Sequence, residues 1–109
     1  LMEFVETGNT HGEDLRAFLE DLLMPYIRET DAIVLGCTHY PFVRELIQQI
    51  AGERVRIFDG GNGTAREMCR RLTAAGLRTL RKGPGTVLFE NSLATKEEIE
   101  LSRTLFQKK

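Results

Sequence analysis

Residues 33–42 read IVLGCTHYPF. A short apolar run stops at Gly36, and a thiol, a hydroxyl and an imidazole follow without a spacer. Extended by Ala32, the run is four residues of continuous hydrophobicity, the pattern of a strand buried on both faces of a parallel sheet. Pro41 suits the first turn of a helix, where a missing N–H costs nothing. Val43, Leu46, Ile47 and Ile50 then recur at helical spacing, predicting a helix over 41–51. The segment therefore reads as strand, turn, helix, with Cys37, Thr38 and His39 in the turn.

The same alternation extends in both directions. Upstream, Thr10-His11-Gly12-Glu13 has the form of a capping box. Leu15, Phe18, Leu19, Leu22, Leu23, Tyr26 and Ile27 follow it at helical spacing, with a break or kink expected at Pro25. Downstream, VRIF (55–58) predicts a second strand ending in Asp59-Gly60-Gly61. A helix over 64–75 is expected to bury Ala65, Met68, Cys69 and Leu72 and to stop at Gly76. TVLFE (86–90) reads as a further strand beyond a Gly83-Pro84-Gly85 loop, and Thr95-Lys96-Glu97-Glu98 as a capping box opening the last helix. Strands alternating with helices imply an α/β fold, with a mainly parallel sheet flanked by helices in three α/β/α layers.

Composition bounds the function. The 109 residues can bury one modest core, and 41% hydrophobic with 28% charged residues is ordinary for a globular protein. Fifteen Lys and Arg against sixteen Asp and Glu give a formal charge of −1, so no broad attraction to nucleic acid or an anionic membrane is expected. Arg78, Arg81, Lys82, Lys108 and Lys109 read as solvated surface charge. No apolar run has the length of a membrane span, and no signal peptide opens the sequence. Two cysteines without an export signal point to free thiols in a reducing cytoplasm. No metal-ligand spacing occurs.

Chemistry concentrates at the end of the first strand. In open α/β sheets ligands bind beyond the carboxyl ends of strands, and the following helix turns free N–H groups toward that turn. A free cysteine titrates near pH ~8.5, a value lowered at helix N-termini or beside an imidazolium. His39 could serve as that neighbour or as an acid–base partner. A cysteine after a buried strand is equally an ordinary small core residue, so local chemistry leaves both readings open. Cys69, on an apolar helical stripe, reads as a core thiol. The Asp59-Gly60-Gly61 turn could border the same crevice or be a plain tight turn.

VLGCTHYP (34–41) resembles the second cysteine motif of glutamate racemases, within the aspartate/glutamate racemase superfamily. Aspartate racemases are similar through Gly-Cys-Thr but usually carry Glu where this sequence has His39. FVETG (4–8) resembles the family segment with an acidic residue at the position of Glu6. IFDGGNGTA (57–65) is similar to the family's strand-end turn, with Gly60 in place of the more usual Ser. The last strand and helix are similar in layout, so the resemblance spans essentially the whole sequence.

That resemblance implies two α/β domains facing each other across a cleft, each contributing one catalytic cysteine. The family's early Asp-Ser and Cys-Asn-Thr motifs do not occur here, and the sequence starts at Leu1. A partial racemase fold is therefore expected: residues 1–62 as the later part of the second domain, and 63–109 as the strand-and-helix segment that returns to the first.

The implied chemistry is cofactor-independent interconversion of L- and D-glutamate by two opposed thiols, for peptidoglycan synthesis. Cys37 would be the acid–base group of this half, His39 the group that tunes it and touches substrate, Thr38 a substrate-binding residue, and Glu6 an auxiliary acid. No metal is implied. The partners implied are glutamate, the missing N-terminal half and a possible second copy in a homodimer, with no nucleic acid and no membrane. The 109 residues alone would be inactive. The alternatives are a related aspartate or hydantoin racemase, or a non-catalytic domain of this fold that binds a carboxylate or a partner.

Overall fold

The computed structural model describes residues 1–93 and 95–107; of the basic residues expected on the surface, Lys108 and Lys109 lie outside the described residues. Helix α1 (Met2–Glu6) and helix α2 (Glu13–Ile27) precede strand β1 (Ala32–Leu35). A 3-10 turn (Tyr40–Val43) leads into α3 (Arg44–Ala51), then β2 (Arg56–Asp59), α4 (Gly61–Ala74) and α5 (Lys96–Gln107).

β1 and β2 pair in parallel, with Ile33 opposite Ile57 and Leu35 opposite Asp59. The α3 crossover between them makes this a β-α-β unit, the connection a parallel pair requires. The expected α/β class with a parallel sheet is what the chain adopts. Side chains alternate across the sheet. Leu35 and Ile57 face α2 and α3 and share one core with Val5, Leu15, Leu19, Val43, Leu46 and Ile47.

The opposite sheet face corrects the expectation of burial on both sides. Val34 is 74% exposed, and its partner across the register, Phe58, is also exposed. Continuous hydrophobicity records what a strand is suited to bury, and here only one face has a layer upon it. Helix α4 stands off from the bare face, and none of its residues is buried. Cys69, expected in a core, is exposed, as are Met68 and Leu72. The apolar stripe is present, but the tertiary contacts that would bury it are not made.

The stripe of α2 is similarly narrower than its periodicity. Leu15 and Leu19 are buried, whereas Phe18, Leu22 and Tyr26 are exposed.

Local details differ for identifiable reasons. Thr10 is buried and is not the cap of α2, which begins at Glu13 with Gly12 before it. The Asn9 Oδ1 atom instead accepts from the Gly12 amide at 2.8 Å, and Asp14 Oδ1 accepts from its neighbour's amide, Leu15, at 2.9 Å. Helix α2 runs through Pro25 rather than breaking there. Its exposed C-terminal carbonyls find partners elsewhere: the Arg54 guanidinium donates to Ile27 O at 2.9 Å, and Thr30 Oγ1 donates to Tyr26 O at 2.8 Å. Satisfying these end carbonyls offsets what proline removes.

Residues 86–90 form no strand. β1 and β2 pair with each other, and this segment lies against neither, with Val87 and Leu88 exposed. A strand needs a neighbouring edge as well as β-favouring side chains. At the second capping box, the Thr95 hydroxyl accepts from the Glu98 amide at 3.3 Å, as expected of a helix N-cap. Helix α5 touches the edge of the core through Leu105.

Candidate active site

The turn after β1 is held by short-range bonds. The Tyr40 amide donates to Cys37 O at 3.2 Å, and the Phe42 amide to His39 O at 3.2 Å. The α-helix expected from Pro41 starts only at Arg44. Pro41 accordingly occupies the first turn of a 3-10 segment, and Cys37 faces one tight turn rather than the end of a long helix.

This winding places the Cys37 thiol beside the ring of His39. Cys37 Sγ lies 3.6 Å from His39 Nδ1, a hydrogen-bonding distance for sulfur. The other ring nitrogen, Nε2, lies 3.5 Å from Glu6 Oε1. Thiol, imidazole and carboxylate thus form a line. The Cys37–His39 contact can run either way, because the imidazole can donate or accept at Nδ1 according to its tautomer.

Glu6 lies 33 positions before His39 in sequence, and its placement depends on how α1 ends. Gly8 has φ +77°, a conformation that L side chains rarely adopt, and a Cβ there would meet Leu101 Cδ1 at 3.4 Å. The Gly8 and Asn9 amides turn back to Val5 O and Phe4 O at 2.9 and 2.8 Å. This Schellman-like seal closes α1 just beyond its Thr7 cap, leaving Glu6 on the last turn near His39.

Cys37 is half-buried and Thr38 exposed. Both line a groove of about 720 Å³ whose opposite wall is Gly60, Gly61 and Thr64, with Val34 and Met68 at its apolar end. The Asp59-Gly60-Gly61 turn therefore does border the crevice. His39 and Glu6 stand behind Cys37 and are not among the residues lining the groove. The groove opens at the carboxyl ends of both strands, the usual ligand position in a parallel sheet.

Two elements of the site were not evident from sequence. Thr64 contributes a hydroxyl to the far wall, though its spacing marks it only as a residue of an amphipathic helix. Arg44 spans from the start of α3 to the end of β2: Nη1 donates to Asp59 Oδ2 at 2.6 Å and Nη2 to Ile57 O at 2.9 Å. Asp59 Oδ1 in turn accepts from the Gly61 amide at 2.9 Å. An arginine and an aspartate fifteen positions apart carry no periodic signal; only the β-α-β crossover brings them together.

No family model matches the chain. Similarity to individual proteins is extensive. A glutamate racemase of Clostridium perfringens is 48% identical over 108 residues, which are 98% of this chain and 42% of that protein. Glutamate racemases of Clostridium botulinum and Clostridium kluyveri are 36% and 35% identical over the same share of each chain. The chain spans about 42% of the length of these curated relatives. Along nearly its whole length, from the α1 turn through the Cys37 groove to α5, the chain is similar to proteins named glutamate racemase.

Proposed function

We propose that this chain supplies one acid–base half of a glutamate racemase site. The observation that carries the reading is the succession from Cys37, which lines a groove, back through His39 to Glu6. Similarity to proteins named glutamate racemase supports the choice of substrate. The Cys37 thiolate removes the α-proton of glutamate: an S–H bond forms and the C–H bond breaks, leaving its electron pair on Cα and in the adjacent carboxylate. A second thiol, facing the other side of Cα, returns a proton there with inverted configuration. Two groups are needed because one base would return the proton to the face it came from. Each turnover leaves Cys37 protonated and the opposing thiol ionised. His39 takes the Cys37 proton and releases it to solvent, from which the opposing thiolate regains one, and Glu6 holds the imidazole in register. Thr38 and the backbone of the surrounding turn hold the α-carboxylate, where the developing charge must be stabilised.

Cys69 is the other thiol of this sequence, and it lies mid-helix on α4 away from the groove lining. The opposing thiol is therefore assigned to a complementing half. We assign residues 1–62 to the domain that carries the Cys37 motif and 63–109 to a segment that packs on that other half. Peptidoglycan precursor synthesis in the cytoplasm is the proposed setting, with free thiols at both cysteines in keeping with a reducing compartment. Among the described residues, no helix is long and apolar enough to cross a membrane. Homodimerisation of the assembled protein is a further part of the proposal, read by light scattering.

The test is racemisation of L-glutamate, followed by circular dichroism, by this chain joined to its complementing half. Cys37→Ala is expected to lower the rate by about 10³-fold or more, within the range attributed to a positioned acid–base group. An unaffected rate would remove Cys37 from the mechanism. Turnover by the 109 residues alone would refute the two-half assignment. Faster turnover of L-aspartate than of L-glutamate would move the chain to the related aspartate racemases.

A further inference from the structure

The groove must admit a dicarboxylate if the proposed reaction is right, yet its far wall is built on a resident carboxylate. Asp59 Oδ1 accepts from the Gly61 amide at 2.9 Å, and Gly61 lines the groove. None of the groove-lining side chains carries a charge. Left alone, the Asp59 carboxylate would repel an anion approaching the Gly60-Gly61 wall, because an incompletely screened charge acts beyond its immediate contacts. Arg44 meets it at 2.6 Å and continues to Ile57 O at 2.9 Å. Asp59 is held largely within the protein while Arg44 is more exposed.

From this arrangement we infer that Arg44 is a specificity-determining residue: it neutralises Asp59, so that the groove beside Cys37 accepts carboxylate-bearing ligands. Asp59 is needed to shape the Gly60-Gly61 turn by accepting from its amide, and its negative charge is the side effect of that task. Arg44 offsets the charge without entering the groove. It leaves Cys37, Thr38 and His39 untouched, so its effect falls on which molecules reach the thiol. The inference rests on the proposed function for the nature of the ligand. Its physical content, anion admission to Cys37, does not depend on turnover.

Two alkylating reagents of nearly equal shape provide the test: iodoacetate, an anion, and iodoacetamide, its neutral counterpart. In the 109-residue chain carrying Cys69→Ser, both report on Cys37 alone, and the readout is the ratio of their rates at pH 7.5 and low salt. Arg44→Met is expected to lower the iodoacetate-to-iodoacetamide ratio by about threefold or more, as for one uncompensated charge near a partly screened site. Arg44→Lys, which keeps the charge, retains most of the ratio. Asp59→Asn alone raises the ratio, and Arg44→Met with Asp59→Asn restores it. Raising the salt concentration shrinks all of these differences.

A purely structural role for Arg44 would change both rates together and leave the ratio fixed, and that result would overturn the inference. So would a double variant that fails to recover the ratio. If Arg44→Met does not fold, Asp59→Asn decides the matter, because an unchanged ratio there is equally fatal. A Cys37 that neither reagent modifies would overturn both this inference and the proposed active site. A chain that shows the expected ratios but, joined to its complementing half, does not racemise glutamate would overturn the proposed function alone.

Discussion

Residues 1–60 and residues 61–107 both carry amphipathic helices, and they are opposite in packing. In the first stretch α1, α2, α3 and the sheet close around Val5, Leu15, Leu19, Val43, Leu46, Ile47 and Ile57. In the second, no described residue is buried, although α4 and α5 are amphipathic, if less strongly than α3. The difference shows that amphipathicity is a capacity. α3 realises it because the β-α-β crossover lays its stripe on α2 and β2. α4 follows β2 directly and points its stripe at the uncovered sheet face without closing onto it.

The strongest test of this contrast is paired truncation. Leu19→Ala should destabilise the chain by about 2–5 kcal/mol, the range for deleting a buried leucine side chain. Leu72→Ala on α4 should change stability by less than about 0.5 kcal/mol, as at surface positions. Urea denaturation of both variants checks the pair, and equal losses would show that α4 is packed in solution. If the complementing half covers α4, the Leu72 variant should become costly in its presence.

A smaller effect is expected where the packed half seals its own edge. Arg54→Met should cost about 1 kcal/mol by leaving the end carbonyls of α2 to water. Amide exchange should then rise in 24–30 before it rises in the sheet. Uniform acceleration across the chain would mean that Arg54 supports the whole core rather than one helix end.

The two thiols separate the regions chemically. Cys37 has His39 at 3.6 Å, whereas Cys69 is exposed on α4. His39→Gln should slow iodoacetamide alkylation of Cys37 at pH 7 several-fold and leave Cys69 unchanged, as read by mass spectrometry of the two peptides. Equal slowing at both sites would show that the imidazole acts on the fold and not on the thiol.

The smallest effect lies within the loosely packed half. Glu67 bonds to both Arg70 and Arg71, chiefly Arg70, and its carboxyl is lowered from 4.5 to about 2. A depressed carboxyl stabilises the state in which it is ionised. Its contribution is therefore complete above pH 4.5 and is lost as the pH falls toward 2. Because Glu67 lies on the surface, the effect should appear only as a slight fall in helical circular dichroism across that window. Glu67→Gln should remove this pH dependence and leave the rest of the curve in place.

The site was legible in part. Gly36-Cys37-Thr38-His39 stood out because an apolar run ends there against three reactive side chains, and strand-then-helix patterning placed them at a strand end. Glu6 was placed near the site only by family resemblance, and its approach to His39 was not legible, since no local rule joins residues 33 positions apart. The Arg44–Asp59 clasp was not legible at all. Expectations failed where a local pattern stood in for a tertiary event: the cap at Thr10, the strand at 86–90 and the burial of Cys69.

Sequence alone determined the order of helices and strands from α2 through α4, the parallel β-α-β character and the place of Cys37, Thr38 and His39 in the turn after the first strand. Those features follow from backbone periodicity and side-chain type, which act over a few residues. Tertiary structure decided which sheet face is covered, which thiol is exposed, how His39 is aligned between Cys37 and Glu6, and what neutralises Asp59. Each depends on surfaces and charges meeting across long stretches of chain, where the outcome is set by geometry and desolvation rather than by the preferences of any one segment.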